Sequence, residues 1–240
     1  MNIEQMKNHL QNKPKFMHRV TSWREIEGRE GQYVNIPESL DDRLKEVLKS
    51  DNINKLYSHQ KQAYDYIKKD NDTVVVTPTA SGKTLCYNLP VLNSILEDDN
   101  SRALYMFPTK ALSQDQLSGL YDLIRALDED IKTYTYDGDT QVSARKSIRE
   151  SGHIVITNPD MLHVGILPHH TKWIKLFENL KYVVIDEVHS YRGVFGSHVA
   201  NVIRRLKRIC NFYGSDPLFI CASATIDNSG ELTSKLIEKD

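Results

Sequence analysis

Between residues 73 and 222, short apolar runs alternate with segments of helical length, and this alternation restricts the fold more than any other feature. TVVVT (73–77), RALYMF (102–107), IKTYTY (131–136), HIVIT (153–157), KYVVID (181–186) and PLFICA (217–222) read as strands. The segments 59–69, 83–97, 110–127, 140–150 and 197–212 carry helical patterns, with short helices over 158–179 and a kink expected at Pro90. Continuously apolar strands separated by helices predict an α/β fold, with a mostly parallel central sheet and helices on both faces. Ligands of such sheets bind at the carboxyl ends of the strands, so the residues just after each run are the place to look.

The chain has 240 residues, enough for one sizeable domain with a short appendage. Residues 1–50 are more polar and are broken by Pro14, Gly28, Gly31 and Pro37. They predict an N-terminal extension that packs on a domain spanning 51–240. One helix closes the extension, with a capping-box pattern from Ser39 to Asp42 and an apolar stripe of Leu44, Val47 and Leu48. A net charge of −1 gives no global attraction for nucleic acid, so any such contact must be local. Arg204, Arg205, Lys207 and Arg208 are spaced like a solvated helix face. Cys86, Cys210 and Cys221 have no CxxC spacing, and Cys86 and Cys221 read as small core residues; His163, His169 and His170 have no metal-ligand context and read as surface. No signal peptide and no membrane-length apolar run is visible, which predicts a cytoplasmic chain without a membrane partner.

After the first run comes Thr77-Pro78-Thr79-Ala80-Ser81-Gly82-Lys83-Thr84, a phosphate-loop pattern whose first glycine is replaced by Thr77. The N–H groups of such a loop, with Thr79, Ala80, Ser81 and Gly82 in it, surround phosphate oxygens. Lys83 reaches the β- and γ-phosphates, and the Thr84 hydroxyl ligates Mg2+. After the fifth run come Asp186-Glu187-Val188-His189. A carboxylate in the position of Asp186 holds Mg2+, and the neighbouring Glu187 polarises an attacking water. Asp186, Glu187 and Lys83 are therefore the catalytic candidates. A nuclease would need a further carboxylate cluster, and none is evident.

These segments resemble the motifs of DExH-box superfamily 2 helicases. TPTASGKT is similar to motif I, DEVH to motif II, and Ser223-Ala224-Thr225 to motif III. Leu56-Tyr57-Ser58-His59-Gln60 resembles the motif whose glutamine recognises adenine. Phe107 to Leu112, with Pro108, Thr109 and Lys110, resembles motif Ia. Thr157-Asn158-Pro159 opens a stretch similar to motif Ib, and Gly138-Asp139-Thr140 looks like the loop between the two. Together with Trp23, Arg24 and Glu25, the motifs resemble most the bacterial YprA/MrfA group of DNA repair helicases.

The resemblance implies a RecA-like P-loop domain that is the first of two lobes, the second supplying arginine fingers. It implies an ATP-dependent 3′–5′ DNA helicase or translocase acting in repair on single-stranded or partly duplex DNA. Gln60 would then bind the two edges of adenine while Tyr57 stacks on the base. Pro108, Thr109, Lys110, Gly138, Asp139, Thr140, Thr157, Asn158 and Pro159 would line the nucleic-acid track. His189 would bond Ser223 or Thr225, coupling hydrolysis to movement through motif III. RNA-directed motors carry the same motifs, as do nucleotide-gated clamps that bind nucleic acid without unwinding it.

Overall fold

Alternation of side chains along the strands decides how this chain layers. The computed structural model describes residues 2–24, 30–78, 81–224 and 228–239, with residues 110–117 as helical backbone only. The chain forms two compact units, Met1–Gln32 and Tyr33–Asp240. The first holds α1 (Ile3–Gln11) and α2 (Pro14–Met17), and Asn2 caps α1 through its side chain.

The second unit opens with β1 (Tyr33–Val34), α3 (Asp42–Ser50), β2 (Leu56–Tyr57) and α4 (Ser58–Ile67). Next come β3 (Thr73–Val76), α5 (Lys83–Glu97), β4 (Arg102–Met106), α6 (Lys110–Leu127), β5 (Thr133–Thr135), α7 (Val142–Ser151) and β6 (Ile154–Thr157). The chain continues through α8 (Pro159–Met161), a π turn over Leu162–Ile166 and a 3-10 segment over Leu167–Lys172. It ends with α9 (Ile174–Glu178), β7 (Leu180–Ile185), α10 (Gly193–Tyr213), β8 (Leu218–Ser223) and α11 (Ser229–Ile237).

Six strands form one parallel sheet in the order β3-β8-β7-β4-β6-β5, while β1 and β2 pair antiparallel beside it. In β4, Ala103 and Tyr105 enter one core with α3, α4, α5 and α6, and Leu104 and Met106 enter the other with α9, α10 and α11. The same division repeats in β6, where Ile154 and Ile156 oppose Val155. This is the period of two that puts successive side chains on opposite faces. Each fully buried Leu, Val or Phe contributes about 1.5–3 kcal/mol, so both layers are held on strongly.

The expected parallel sheet with helices on both faces is therefore the observed one. The expected boundary at residue 50 differs from the division after Gln32, because Leu44, Val47 and Leu48 of α3 are buried in the first core. The cap of α3 also differs: Asp41 accepts from Arg43 N, while Ser39 offers its carbonyl to Tyr64. Helix α5 runs through Pro90.

Candidate functional site

Each ladder extends one residue past its strand, which fixes the loops that follow. Thr77 N donates to Ser223 O (3.4 Å), Phe107 N to Thr157 O (3.1 Å), Tyr136 N to Ile156 O (2.7 Å) and Asp186 N to Met106 O (3.1 Å). The loops after β3, β4, β5 and β7 thus leave the same end of one sheet.

Between β3 and α5, the Thr77 and Ser81 hydroxyls are 2.5 Å apart, and Gly82 closes the loop with φ +74°. That left-handed backbone favours glycine, and a Cβ there would lie 2.6 Å from Gln60 Nε2. Lys83 Nζ donates to Thr77 O (3.2 Å) and Pro78 O (3.3 Å), so the ammonium lies over the loop. Thr79 and Ala80 lie outside the described residues.

Gln60 is 3% exposed; its Oε1 accepts from Tyr57 N and its Nε2 donates to Gly82 O, both at 2.9 Å. Its amide is therefore a brace between the start of α4 and the loop, in contrast to the expected amide facing adenine with both groups. Tyr57 stacks between Tyr33 (4.9 Å) and His59 (5.5 Å), and His59 Nε2 bonds Ser81 O at 3.1 Å. His59 stands within the motif that carries Gln60, whereas Tyr33 carries no sequence signal and reaches the site only by β1–β2 pairing.

At the end of β7, Asp186 is 4% exposed. Burial raises its carboxyl above the ordinary aspartate range, the Glu187 charge adds to the rise, and the Glu187 N–H, Tyr87 and Lys83 oppose it. Its Oδ1 accepts from Glu187 N (2.8 Å) and its Oδ2 from the Tyr87 hydroxyl (3.0 Å). Tyr87 stands three residues after Thr84 on α5, a spacing that puts both on one helix face, and this was the signal that could have found it. Glu187 has φ 52°, a left-handed conformation uncommon outside glycine and typical of strained functional turns. The Tyr191 hydroxyl is buried beside this pair and has no hydrogen-bond partner among the described residues.

His189 Nδ1 is 3.3 Å from Ala224 N, which donates to it, and 3.1 Å from Glu187 Oε2. One ring nitrogen thus lies close to both groups. It accepts the Ala224 N–H, while the 3.1 Å approach to Glu187 is a proximity without hydrogen-bond geometry, since Glu187 Oε2 has no hydrogen-bond partner among the described residues. The expected partner was the Ser223 or Thr225 side chain. Ser223 is buried, with its hydroxyl turned to Ala224 O, and Thr225 lies outside the described residues.

The loops after β4, β6 and β5 lie side by side because those strands are neighbours. Pro108 is half-buried and Thr109 exposed, while the side chain of Lys110 lies outside the described residues. Gly138 and Asp139 are exposed; Thr140 Oγ1 accepts from Asp137 N (2.8 Å), and the Asp137 side chain accepts from Asp139 N (2.9 Å). Asn158 Oδ1 caps α8 at Met161 N (2.8 Å), and Pro159 is buried behind it. Thr157 is 2% exposed and donates to Tyr136 O, so its hydroxyl supports the neighbouring loop from inside rather than facing a strand of nucleic acid.

Elsewhere, Arg204 pairs with Glu238, and Lys207 donates to Ile237 O. All three cysteines are buried and free, and burial pushes the Cys86 and Cys210 thiols up to about 12. No helix among the described residues is long and apolar enough to cross a membrane.

Comparison with known proteins matches residues 57–232 to the DEAD/DEAH box helicase family. The chain is 64% identical to the ATP-dependent helicase YprA of Bacillus subtilis, covering 92% of this chain and 29% of YprA. It is 42% identical to the ATP-dependent helicase hrq1 of Schizosaccharomyces pombe, covering 88% of this chain and 20% of that protein. The crystal structure of the DUF1998 helicase MrfA bound to DNA and AMPPNP superposes with a TM-score of 0.92 at 59% identity, covering 100% of this chain and 33% of MrfA. The chain thus spans a third or less of the length of these relatives, and its fold is the RecA-like fold of helicase cores.

Proposed function

Because the chain belongs to the DEAD/DEAH box helicase family, we propose that it is the ATP-binding lobe of a two-lobed, DNA-directed helicase or translocase. The observation that carries this reading is the meeting of the β3–α5 loop with Asp186 and Glu187 at one end of the sheet, tied together by Tyr87. The substrate is ATP. A triphosphate entering the loop would take over the Lys83 ammonium from its two long bonds to Thr77 O and Pro78 O. Tyr57 would lie against the base, with Gln60 holding its position. Glu187 would polarise the water that attacks the γ-phosphorus, leaving ADP and phosphate.

Mg2+ fits the residues present. A buried carboxylate raised by desolvation at the end of β7 and a hydroxyl at the start of α5 are hard oxygen donors of the kind Mg2+ takes. Asp186 and Thr84 would hold it, and it would supply neutralisation of phosphate charge.

The MrfA structure with DNA supports DNA over RNA as the track, and the loops around Thr109, Thr140 and Asn158 are the surfaces offered to it. Polar groups and backbone N–H groups there would bind phosphates without reading sequence, as a motor that crosses any sequence requires. We assign to the parent protein 3′–5′ movement and a part in DNA repair, on the resemblance alone. Its second lobe would add arginine fingers, each worth about 10³–10⁵ in rate, so the isolated lobe would turn over very slowly.

The test is ATP turnover of the two-lobed parent with no nucleic acid, with single-stranded DNA and with RNA of the same sequence. Stimulation by DNA is expected. Stimulation by RNA alone moves the protein to RNA metabolism, and stimulation by neither overturns the motor.

A further inference from the structure

Beyond the Asp137–Thr140 loop, α7 and the Leu162–Lys172 segment enclose a cleft of about 260 Å³. Its charged lining is one-signed: Arg145 and Arg149 on one wall and Lys172 on the other, beside His169, with no carboxylate. The chain as a whole has a net charge of −1, so this concentration is local and not a sample of a basic surface.

Arg145 is fixed in place. Its Nε donates to Thr140 O at 3.1 Å, and its guanidinium lies 5.4 Å from the centroid of the Tyr136 ring. Tyr136 is in turn braced edge-on by buried Trp173, with ring centroids 4.8 Å apart. Arg149 follows one helical turn later on the same face of α7. Among the described residues, none of Arg145, Arg149 and Lys172 makes an ion pair with a carboxylate; the nearby Glu150 pairs with Lys146 instead. Like charges gathered in a concave site repel one another and focus a field that only an anion relieves. Preset guanidinium forks match phosphate oxygens in particular.

We propose that this cleft binds a backbone phosphodiester of the nucleic-acid strand, extending the track past the β5 loop to the edge of the sheet. The position follows from Arg145, which joins the cleft to Thr140, so a strand lying over Gly138–Thr140 passes directly onto it. The proposal rests on the DNA-directed reading above.

The experiment is DNA binding by the two-lobed parent and its Arg149→Gln/Lys172→Gln variant. Arg145 is kept because it holds the Thr140 loop. Fluorescence anisotropy with a single-stranded oligonucleotide is read across a salt series, beside melting temperature and affinity for a fluorescent ATP analogue. Each phosphate contact on a single strand contributes about 0.7 to the slope of log K against log salt. The variant should bind DNA about tenfold more weakly, with a slope smaller by about 1.4 for two contacts, and keep its melting temperature and nucleotide affinity. Unchanged DNA affinity and slope would overturn the proposal. A variant with unchanged DNA binding but a lower melting temperature would assign the cleft to an acidic segment of the parent chain, which also overturns it. If the unmodified parent binds no DNA, the DNA-directed reading itself fails, and that outcome is separate from the variant comparison.

Discussion

The Tyr87 hydroxyl donates to Asp186 Oδ2 at 3.0 Å, and Tyr87 stands one helical turn after Thr84 on α5, so one buried phenol links the carboxylate to the helix face that carries the second oxygen donor proposed for the metal. Removing that hydroxyl leaves the Asp186 carboxylate with Glu187 N as its remaining backbone donor. Losing a partner in such a place costs about 1–3 kcal/mol. Tyr87→Phe is expected to lower the melting temperature of the two-lobed protein and to reduce kcat about tenfold. Its requirement for Mg2+ should shift to higher concentration. A magnesium titration of turnover checks this, and an unshifted midpoint removes Tyr87 from any part in setting the metal site.

Glu187 is held in a left-handed turn with its carboxylate facing His189. In the two-lobed protein, Glu187→Gln should bind ATP with near-native affinity and lose turnover by about 10²–10⁴-fold, a range typical of removing a general base. Equilibrium nucleotide binding beside single-turnover hydrolysis separates the two effects. Near-full turnover in the variant would show that another group polarises the water.

His153 links the start of β6 to two loops: its Nδ1 accepts from Lys132 N (2.9 Å), so Nε2–H donates to Asp99 Oδ1 (3.0 Å). Burial lowers its pKa from the ordinary 6.5, the Arg102 charge adds to the fall, and Asp99 opposes it. The folded state therefore takes the proton less readily than the unfolded chain. Its contribution to stability is full above the unfolded value and is lost as pH falls through that value toward the folded one. Melting temperature should drop between pH 7 and pH 5. His153→Asn, whose Oδ1 can still accept from Lys132 N, should flatten that drop, and an identical pH profile for the variant would assign it to other groups.

Gly196 brings the first turn of α10 against the backbone of Tyr191. A Cβ there would lie 2.4 Å from Tyr191 O and 2.7 Å from its carbonyl carbon, both backbone atoms that cannot swing aside. Gly196→Ala should destabilise the fold by about 1–3 kcal/mol, lowering the melting temperature by about 5 °C. Calorimetry of the variant checks this, and an unchanged transition would mean that α10 shifts at no cost.

The sheet was legible because its strands are apolar on both faces, and its carboxyl-end loops were legible because each follows such a run. What could not be read depends on side chains meeting across long stretches of chain. Tyr33 reaches Tyr57 only through strand pairing, and Tyr87 reaches Asp186 only through the packing of α5 on β7. Gln60 was found by its motif, yet its amide is committed to Tyr57 N and Gly82 O, partners on the backbone that carry no sequence signal. The same holds for His189, whose partner in motif III is the Ala224 N–H. The apolar stripe of α3 was legible, but its place inside the larger unit was not, because polar residues surround it in the sequence.

Among the described residues, β3 is hydrogen-bonded on one side only, and its partner is β8, the last strand of the sheet, with Thr73 opposite Ile220 and Val76 opposite Ser223. The strand that carries the phosphate loop is thus made early in synthesis and paired late. A growing chain holds TVVV without its ladder until residues 218–223 have left the ribosome. Closing so long a stretch is slow, and an unpaired apolar strand invites pairing with other chains while it waits. The time for which a nascent chain most needs protection is set by the distance between these two strands in the sequence.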